Sequence, residues 1–409
     1  MALNILSKQK LNDFNSYTLI AIAFFIPLSV AIPNLLSTLV IFNWILLWNF
    51  KEDWKILKNN GVVLAIFAFT LLHFLALLWS SDIEHGLSYT IAKESRLLLI
   101  PIFMLFIKKA HIKYYIYAFL LAMSFAELSS YSIYFGIIEP FKYATLQDPT
   151  PFLGHVNYNP FLAIAIYLLL LNTLVCDNFS KKEKFFSTLF IFTMSFNMFI
   201  TGGRAGQVMF FAMLSIFIFQ YFRATLFKST LLILILLPTL FTTIYLTSDL
   251  FHKRVNLAYN EATHFQDKRA NNDATIGSVG LRLNFALNSF ESIKEYPLLG
   301  RGTGSFQKEY DIINSKNTKN IASTVNPHNM YIFELFELGL LGFIALLSIF
   351  FFALKQALHS EDKLIKNLGV ALPLLYMVIM LSESYLLIPN TTHLFALLSA
   401  FLYKNYNNE

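Results

Sequence analysis

Long apolar segments recur along the whole chain, and they constrain its fold more than any other feature. A membrane-spanning helix needs about 20 mostly apolar residues, and windows of roughly that length alternate here with polar loops. The sequence therefore predicts an all-α, polytopic integral membrane protein with about twelve transmembrane helices. The twelve windows are 16–32, 35–50, 61–80, 96–108, 114–137, 160–176, 186–201, 206–226, 230–248, 328–354, 367–388 and 390–404.

Composition excludes the common soluble classes of protein. Apolar residues make up 56% of the chain, charged residues make up 14%, and Phe occurs 43 times in 409 residues. A soluble enzyme could not bury that much apolar surface in one or two cores, and a disordered chain or a coiled coil would be far more polar. The net charge of +6 is therefore not a nucleic-acid footprint, and no nucleic-acid partner is expected.

The chain is expected to form one integral membrane domain, 1–409. Its first apolar segment lacks the small-residue cleavage site of a secretory signal peptide and is followed at once by a second segment. There is no internal repeat, low-complexity linker or separate soluble domain. Within the domain, the polar interval 249–327 is expected to be one large loop that contains short helices.

The placement of Lys and Arg predicts the orientation, because both are enriched in short cytoplasmic loops. Of the 31 Lys and Arg residues, 17 lie in the termini and short loops of one side. The short loops of the other side carry only Lys93, Arg96, Lys142 and Arg204. Both termini are therefore expected in the cytoplasm. The segments expected outside are 81–95, 138–159, 201–206 and 249–327.

A glycine-rich turn between two spans carries the first candidate charge. Thr201-Gly202-Gly203-Arg204-Ala205-Gly206 can turn tightly and expose backbone N–H groups. A guanidinium keeps its charge, and its fork matches phosphate oxygens. The alternative is an interfacial arginine that extends to lipid headgroups. The spacing by itself leaves both interpretations of Arg204 open.

Two further arginines lie in the long polar interval. Arg282 belongs to an amphipathic pattern that predicts a helix over roughly 279–295, ended by Pro297. A solvated helix charge is the favoured interpretation of Arg282 from the pattern alone. Arg301 lies in the glycine-rich segment 300–306, which follows no strand and therefore indicates a structural turn more than a nucleotide-binding loop.

Histidines open two of the spans on the outward side. His328, followed by Asn329, begins the tenth span, and an imidazole titrates near neutral pH and can take a proton from a hydroxyl. The alternative is an interfacial histidine that caps the helix. His155, Asn157 and Asn159 begin the sixth span, where they could hydrogen-bond sugar hydroxyls or act as caps.

No metal site or cofactor is expected from local spacing. Cys176 is the single cysteine, so it forms neither an internal disulfide nor a cysteine cluster. No helix carries two histidines at the spacing of metal ligands. Glu127 lies in the middle of one span and Glu383 near the outer end of another, where either could line a cavity.

Several motifs follow one another along the chain, beginning at the connection between the seventh and eighth spans. They are Thr-Gly-Gly-Arg-Ala-Gly at 201–206, Gly-Leu-Arg at 280–282, Pro-Leu-Leu-Gly-Arg-Gly-Thr-Gly-Ser-Phe at 297–306, Pro-His-Asn-Met-Tyr at 327–331 and Glu-Leu-Gly-Leu-Leu-Gly at 337–342. With the twelve spans, this order resembles the O-antigen ligase and O-antigen polymerase superfamily. Its members are integral glycosyltransferases of the bacterial inner membrane. The motif-level similarity is concentrated in 201–342.

The resemblance implies a reaction and roles for three residues. Members take a glycan from an undecaprenyl-diphosphate carrier on the periplasmic face, without a nucleotide sugar, cofactor or metal. Ligases transfer it to a sugar hydroxyl of lipid A–core, and polymerases transfer it to another repeat unit. Arg204 and Arg282 would bind the diphosphate, and His328 would activate the acceptor. The candidate substrate contacts beside them are Asn329, His155, Asn157, Gly203 and Arg301.

Elementary chemistry is compatible with those roles. Fixed cations stabilise the charge that develops on a departing diphosphate, and two arginines can supply them without a metal. A neutral imidazole can deprotonate the acceptor for one in-line displacement, which inverts the anomeric carbon. We favour a ligase over a polymerase, because only one outward loop is large. A transporter is a further alternative, although the paired repeats typical of that class are not evident and the distinctive residues cluster at the outer surface.

Overall fold

The computed structural model describes residues 2–223 and 225–406, and within them all regular structure is helical. This confirms the all-α class. The α-helices are α1 (Ala2–Phe25), α2 (Ala31–Leu47), α3 (Phe50–Leu57), α4 (Gly61–Leu75), α5 (Ile83–His85), α6 (Ala92–Glu94), α7 (Leu99–Phe106), α8 (Ile112–Tyr134), α9 (His155–Leu170), α10 (Lys181–Ile200), α11 (Arg204–Tyr221), α12 (Leu226–Thr247), α13 (Asp249–Thr263), α14 (Phe265–Ala270), α15 (Gly277–Glu295), α16 (Phe306–Asn317), α17 (Met330–Leu358), α18 (Lys363–Ile379) and α19 (Pro389–Leu402).

Shorter turns extend or join several of these helices. The 3₁₀ turns are Ala76–Trp79, Ser95–Leu98 and Lys109–His111, and the π-helical turns are Gly86–Ile91 and Leu171–Val175. Each of the twelve apolar windows contains helix. Helices long and apolar enough to cross a membrane number six in the described chain, or seven if the bent pair α2 and α3 is one span. The expected count of about twelve is therefore not confirmed by length and composition.

The first connection differs from its predicted position. The windows 16–32 and 35–50 predict a tight turn at Pro33-Asn34, but α1 ends at Phe25 and α2 begins at Ala31. Pro33 lies in the first turn of α2, where a backbone N–H has no helical partner and its absence costs nothing. The turn is therefore formed by residues 26–30 rather than by the two residues between the windows.

The helices divide into a buried centre and an apolar periphery. α9 packs against α8, α10 and α11, and α17 packs against α4 and α18. By contrast, α12 has a mean hydropathy of 2.0, yet none of its apolar window is buried within the protein. Apolar surface of that length is stable when it faces lipid rather than water. This contrast supports a multi-pass membrane protein.

The polar interval 249–327 contains four helices, α13 to α16. Among them α15 spans Gly277–Glu295, which confirms the helix predicted over 279–295, and Pro297 follows its end. α15 packs against α13 and against α17. The interval is therefore folded onto the first turns of a long apolar helix, and this packing positions Arg282.

The glycine-rich segment after α15 enters a break in α17. At Gly339 the backbone has φ 63° and ψ −156°, and a Cβ atom there would lie 2.4 Å from the backbone of Leu298. The N–H of Leu340 donates to the carbonyl of Pro297 at 2.8 Å, and the N–H of Gly302 donates to that of Glu337 at 2.8 Å. Backbone N–H and C=O groups that lose their helical partners at the break are therefore hydrogen-bonded to the loop. This confirms 300–306 as a structural turn.

Candidate functional site

The glycine turn between α10 and α11 packs directly on the first turn of α9. A Cβ atom at Gly206 would lie 2.2 Å from the Cβ of Asn159, and one at Gly203 would lie 2.8 Å from its Nδ2. Thr201 donates its hydroxyl to Oδ1 of Asn159 at 2.9 Å. Only glycine permits this approach, so the motif places the start of α11 against α9. Asn159 is buried and holds the turn.

Asp148 fixes the same turn from the other side. Its carboxylate accepts the N–H of Gly202 at 2.9 Å and contacts Nδ1 of His155 at 2.6 Å. Burial opposes the ionised form, but the hydrogen bonds from His155 and Gly202 and the charge of Arg254 outweigh it, so the pKa of Asp148 is lowered. The carboxylate is therefore ionised and holds His155 at the edge of the turn.

Three arginines gather around this turn. Arg204 begins α11, and it lies within electrostatic range of Arg254, Arg282 and the carboxylate of Glu261. Nη1 of Arg204 is buried and has no hydrogen-bond partner among the described residues. A buried guanidinium donor without an acceptor is costly. The cluster therefore carries an excess of positive charge and is suited to an anion.

The neighbouring helix α15 brings Arg282 to the cluster. Glu261 accepts the N–H of Val279 at 2.6 Å and thereby satisfies a donor at the N-terminus of α15. One turn later, Nη1 of Arg282 donates to Ser278 at 3.0 Å, while its Nε is buried without a partner in the described chain. Arg204 and Arg282 therefore both retain donors for an anion.

His328 forms the second half of the site with a carboxylate distant in sequence. Its Nδ1 lies 2.6 Å from Oε2 of Glu383, and the side chains are 38% and 12% exposed, respectively. Because an ionised carboxylate only accepts, Nδ1 carries the proton and Nε2 bears a lone pair. This arrangement leaves one basic nitrogen on a partly exposed ring.

The backbone around His328 is held in an uncommon conformation. Its φ is 54°, in the left-handed region that costs a residue with a Cβ roughly 1–2 kcal/mol. The N–H of His328 donates to Oδ1 of Asn326 at 2.8 Å, and the hydroxyl of Ser384 donates to the same atom at 2.9 Å. Such strain persists where surrounding contacts fix it and is common at functional sites.

The two halves meet through Tyr385. Its hydroxyl donates to the carbonyl of Val156 in the first turn of α9 at 3.2 Å. Its phenol also lies within electrostatic range of both Glu383 and Arg282. The structure therefore brings Arg204 near Arg282, and Arg282 near the turn that carries Glu383. Residues that are separated in sequence share one end of the helical bundle.

The other predicted contacts occupy different positions. Asn329 caps α17, where its Oδ1 accepts the N–H groups of Tyr331 and Ile332. Oδ1 of Asn157 is buried without a described partner. Arg301 is paired with Glu295 and Glu309 and lies over the ring of Tyr296. The guanidinium of Arg301 is thus occupied within the protein, apart from the arginine cluster.

Part of the chain is similar to a known protein family. Residues 189–347 match the protein family described as O-Antigen ligase. This match supports membership of the O-antigen ligase superfamily. The resemblance stated from the motifs is therefore confirmed. The matched region includes Arg204, Arg282 and His328, but Glu383 lies beyond it.

A curated relative is similar to part of this chain. An uncharacterized protein of Haemophilus influenzae (strain ATCC 51907 / DSM 11121 / KW20 / Rd) is 29% identical over 256 residues. The match covers 59% of this chain and 59% of the relative. The chain thus matches less than two thirds of that relative's length, and the relative adds no assigned activity.

Tyr89 and Lys93 lie near Glu383 but were not identified as site candidates from the sequence. Burial and the charge of Arg96 lower the pKa of Lys93 to about 8, while Glu383 opposes that change. The Nζ of Lys93 lies 3.3 Å from the ring centroid of Tyr89. The only local signal was their position in the outward segment 81–95. Their proximity to Glu383 depends on the tertiary structure.

An apolar groove extends to the end of the helical bundle that carries His328. It has a volume of about 910 Å³ and lies between α11, α15, α17 and α18. Asn329, the neighbour of His328, lines its rim, and the rest of its wall is almost entirely apolar, with Phe290, Leu335, Phe343 and Leu374 among the lining residues. The groove can hold a hydrocarbon chain, and its lining residue Asn329 is the sequence neighbour of His328.

Proposed function

We propose that this chain is an O-antigen ligase of lipopolysaccharide biosynthesis. It transfers a glycan from an undecaprenyl-diphosphate carrier to a sugar hydroxyl of lipid A–core. The observation that carries the proposal is that incompletely paired arginines and the His328–Glu383 pair approach one another around Tyr385. The family match over 189–347 supports the same reaction class. The reaction takes place at the periplasmic face of the inner membrane, with both chain termini in the cytoplasm.

Arg204 and Arg282 bind the diphosphate of the donor. Each has a guanidinium nitrogen that is buried without a hydrogen-bond partner in the described chain. As the bond between the sugar C1 and the diphosphate oxygen breaks, negative charge grows on the departing group. Fixed cations in a site of low dielectric stabilise that charge, and each such donor is typically worth about 10²–10³ in rate. The lipid diphosphate leaves without a nucleotide or a metal.

His328 acts as the general base for the acceptor. Its Nε2 lone pair removes the proton of a sugar hydroxyl while that oxygen attacks C1. Glu383 holds the ring in the required tautomer and stabilises the imidazolium that forms. A single displacement inverts the anomeric carbon. The proton then leaves the imidazolium to solvent, because the His328 side chain is 38% exposed.

The apolar groove beside Asn329 holds the polyprenyl tail of the donor. The tail would lie between α11 and α17 within the membrane, and the diphosphate would then face the arginine cluster. His155, Asn157 and Gly203, at the junction of α9 with the glycine turn, remain candidate contacts for the glycan. Asn329, which caps α17, and Arg301, which is paired with Glu295 and Glu309, also remain candidate substrate contacts.

Reconstitution of the purified protein tests the proposal directly. The donor is a defined undecaprenyl-diphosphate-linked glycan, and the acceptor is purified lipid A–core. We expect glycan-bearing lipid A–core as the product. In a deletion strain, unligated carrier-linked glycan indicates a ligase, whereas core that bears one repeat indicates a polymerase. Unaltered surface polysaccharide would contradict both glycosyl-transfer assignments.

The transfer step is expected to need no metal at the diphosphate. In other reactions with a phosphate or diphosphate leaving group, Mg²⁺ neutralises the charge on that group. Here the arginine cluster supplies the positive charge. The initial rate should be unchanged when EDTA is added at the start of the assay, and Mg²⁺ or Mn²⁺ should not raise it. An immediate loss of rate that one metal restores would contradict this mechanism.

Glu383→Gln should lower turnover by about 10²-fold or more, with donor affinity largely retained. The amide keeps the volume of Glu383, but it removes the charge that stabilises the imidazolium and allows the wrong tautomer. The measurement is single-turnover rate and donor binding in the same membranes. Glu127→Gln, which alters a buried carboxyl on α8, is the matched control. A wild-type rate in Glu383→Gln would refute the positioning role.

A further inference from the structure

Three ionisable side chains meet in the protein interior, apart from the arginine cluster. They are His73 on α4, Glu94 on α6 and Glu334 on α17, and their exposed fractions are 1%, 1% and 0%. One ligand atom from each lies within 4.8 Å of the others. The sequence did not reveal this group, because its members come from three separate segments. No part of the transfer mechanism uses it.

The polar atoms of this group are unsatisfied in the described chain. The oxygens of Glu94 and Glu334 and Nε2 of His73 have no hydrogen-bond partner among the described residues outside the group. Within the group, the carboxyl groups of Glu94 and Glu334 lie close together. Burying two carboxylates without compensation costs several kcal/mol per ion. A native interior therefore requires something positive between them, which is either shared protons or a bound cation.

A hydroxyl group orients the imidazole of His73 toward the carboxylates. Thr303 donates its hydroxyl proton to the backbone carbonyl of His73 at 2.8 Å. The oxygen of that hydroxyl then accepts from Nδ1 of the ring at 3.4 Å. Nδ1 consequently carries the ring proton, and Nε2 presents a lone pair to Glu334. Metal-binding histidines are commonly oriented through their second nitrogen in this way.

The spacing between His73 and Glu334 differs from that of the chain's other histidine–carboxylate pairs. Nε2 of His73 lies 3.4 Å from Oε2 of Glu334, whereas the His328–Glu383 and His155–Asp148 pairs are each at 2.6 Å. A shared proton draws its partners to the shorter distance. Ligands about 2.0–2.2 Å from a tetrahedral ion are about 3.4 Å apart. The gap between His73 and Glu334 therefore has the size of an ion rather than of a shared proton.

We propose that His73, Glu94 and Glu334 bind a divalent transition-metal ion, for which Zn²⁺ is the best fit. A neutral imidazole and two carboxylates balance a charge of +2, and imidazole favours transition metals over Mg²⁺ or Ca²⁺. Glu337 lies one turn beyond Glu334 on α17, and its Oε2 is buried without a partner in the described chain. The ion neutralises an otherwise uncompensated cluster.

The ion would have a structural role. It ties α4, α6 and α17 to the glycine-rich loop through Thr303. The segment fixed by Glu94 also carries Tyr89 and Lys93, which lie near Glu383. Chelation should therefore reduce stability slowly as the ion leaves a buried site. This differs from the immediate effect on rate that a metal at the donor diphosphate would produce.

Metal content and thermal stability test the proposal without an activity assay. The full-length protein, purified with a histidine-free tag and without chelator, should contain about one equivalent of Zn²⁺ or Mn²⁺ by plasma mass spectrometry. Glu94→Gln and Glu334→Gln should lose the metal and melt at lower temperature. Glu127→Gln, at another buried and unpartnered carboxyl, should retain the metal. Added Zn²⁺ should restabilise EDTA-treated wild type, and Mg²⁺ should not.

The glutamine variants also distinguish an ion from shared protons. An amide resembles a protonated carboxyl, so Glu334→Gln would keep or raise the melting temperature if protons fill the cluster. Metal-free protein with that behaviour, and with no stabilisation by Zn²⁺ or Mn²⁺, would overturn the proposal. Thr303→Val should weaken metal affinity by roughly 10–100-fold, because it removes the group that orients His73. Unchanged affinity would also count against the site, whatever the outcome of the ligase assay.

Discussion

His328→Ala should lower the single-turnover rate by about 10²–10⁴-fold while donor binding stays largely intact. The structure gives the imidazole the geometry of a base, because Glu383 binds its Nδ1 at 2.6 Å and the other nitrogen is free to accept a proton. Removing the ring removes proton abstraction from the acceptor. It leaves Arg204 and Arg282 unchanged, so the donor should still bind.

The pH dependence separates a base from a cation at position 328. A base must be neutral, so the wild-type rate should rise as the pH increases and the imidazole loses its proton. A third cation on the diphosphate must be charged, so the rate and the donor affinity would fall over the same interval. Rate and donor affinity are measured across about pH 5.5–8.5, on either side of the usual range for histidine.

A histidine at the far end of the same helix provides the control. His359 lies at the C-terminal end of α17, where its ring contacts the carbonyl of Lys355. His359→Ala should leave rate and donor affinity near the wild-type values. Loss of donor affinity in His328→Ala, together with a wild-type rate that is highest at acid pH, would reject the base assignment. It would not affect the placement of the chain in its superfamily.

Arg204→Lys should reduce turnover by about 10²-fold or more and should not restore the activity lost in Arg204→Ala. Lysine keeps the charge but cannot contact two phosphate oxygens with a planar fork. Nη1 of Arg204 is buried and has no hydrogen-bond partner among the described residues, so the fork retains a free donor. Donor affinity should fall in Arg204→Ala and in Arg282→Ala, unlike in His328→Ala.

The matched control for the guanidinium is Arg223→Lys. Arg223 follows α11 at the end opposite Arg204, and it is exposed. That substitution should leave both donor affinity and rate unchanged. Donor binding is measured with the diphosphate-linked glycan in membranes or nanodiscs, beside the single-turnover rate. Ligation by Arg204→Lys at the wild-type rate would show that charge alone is sufficient and that bidentate contact is unnecessary.

The sequence by itself indicated the helical class, the superfamily and one loop helix, through hydrophobic patterning and short motifs. The apolar windows predicted helix because a membrane span is a local property of about 20 consecutive residues. The motifs around Arg204, Arg282 and His328 were sufficient to indicate the superfamily, which the match over 189–347 confirms. The helix predicted over 279–295 was also confirmed, since its amphipathic pattern and Pro297 act locally.

Only the tertiary structure decided which of those residues meet and what supports them. The partner of His328 is Glu383, 55 residues away, and the group of His73 and Glu94 is completed by Glu334 from α17. The break in α17 at Gly339 is filled by a distant loop. Periodicity and spacing describe neighbours along a helix, whereas these contacts form between separate helices. They depend on how the helices pack, which a local pattern does not encode.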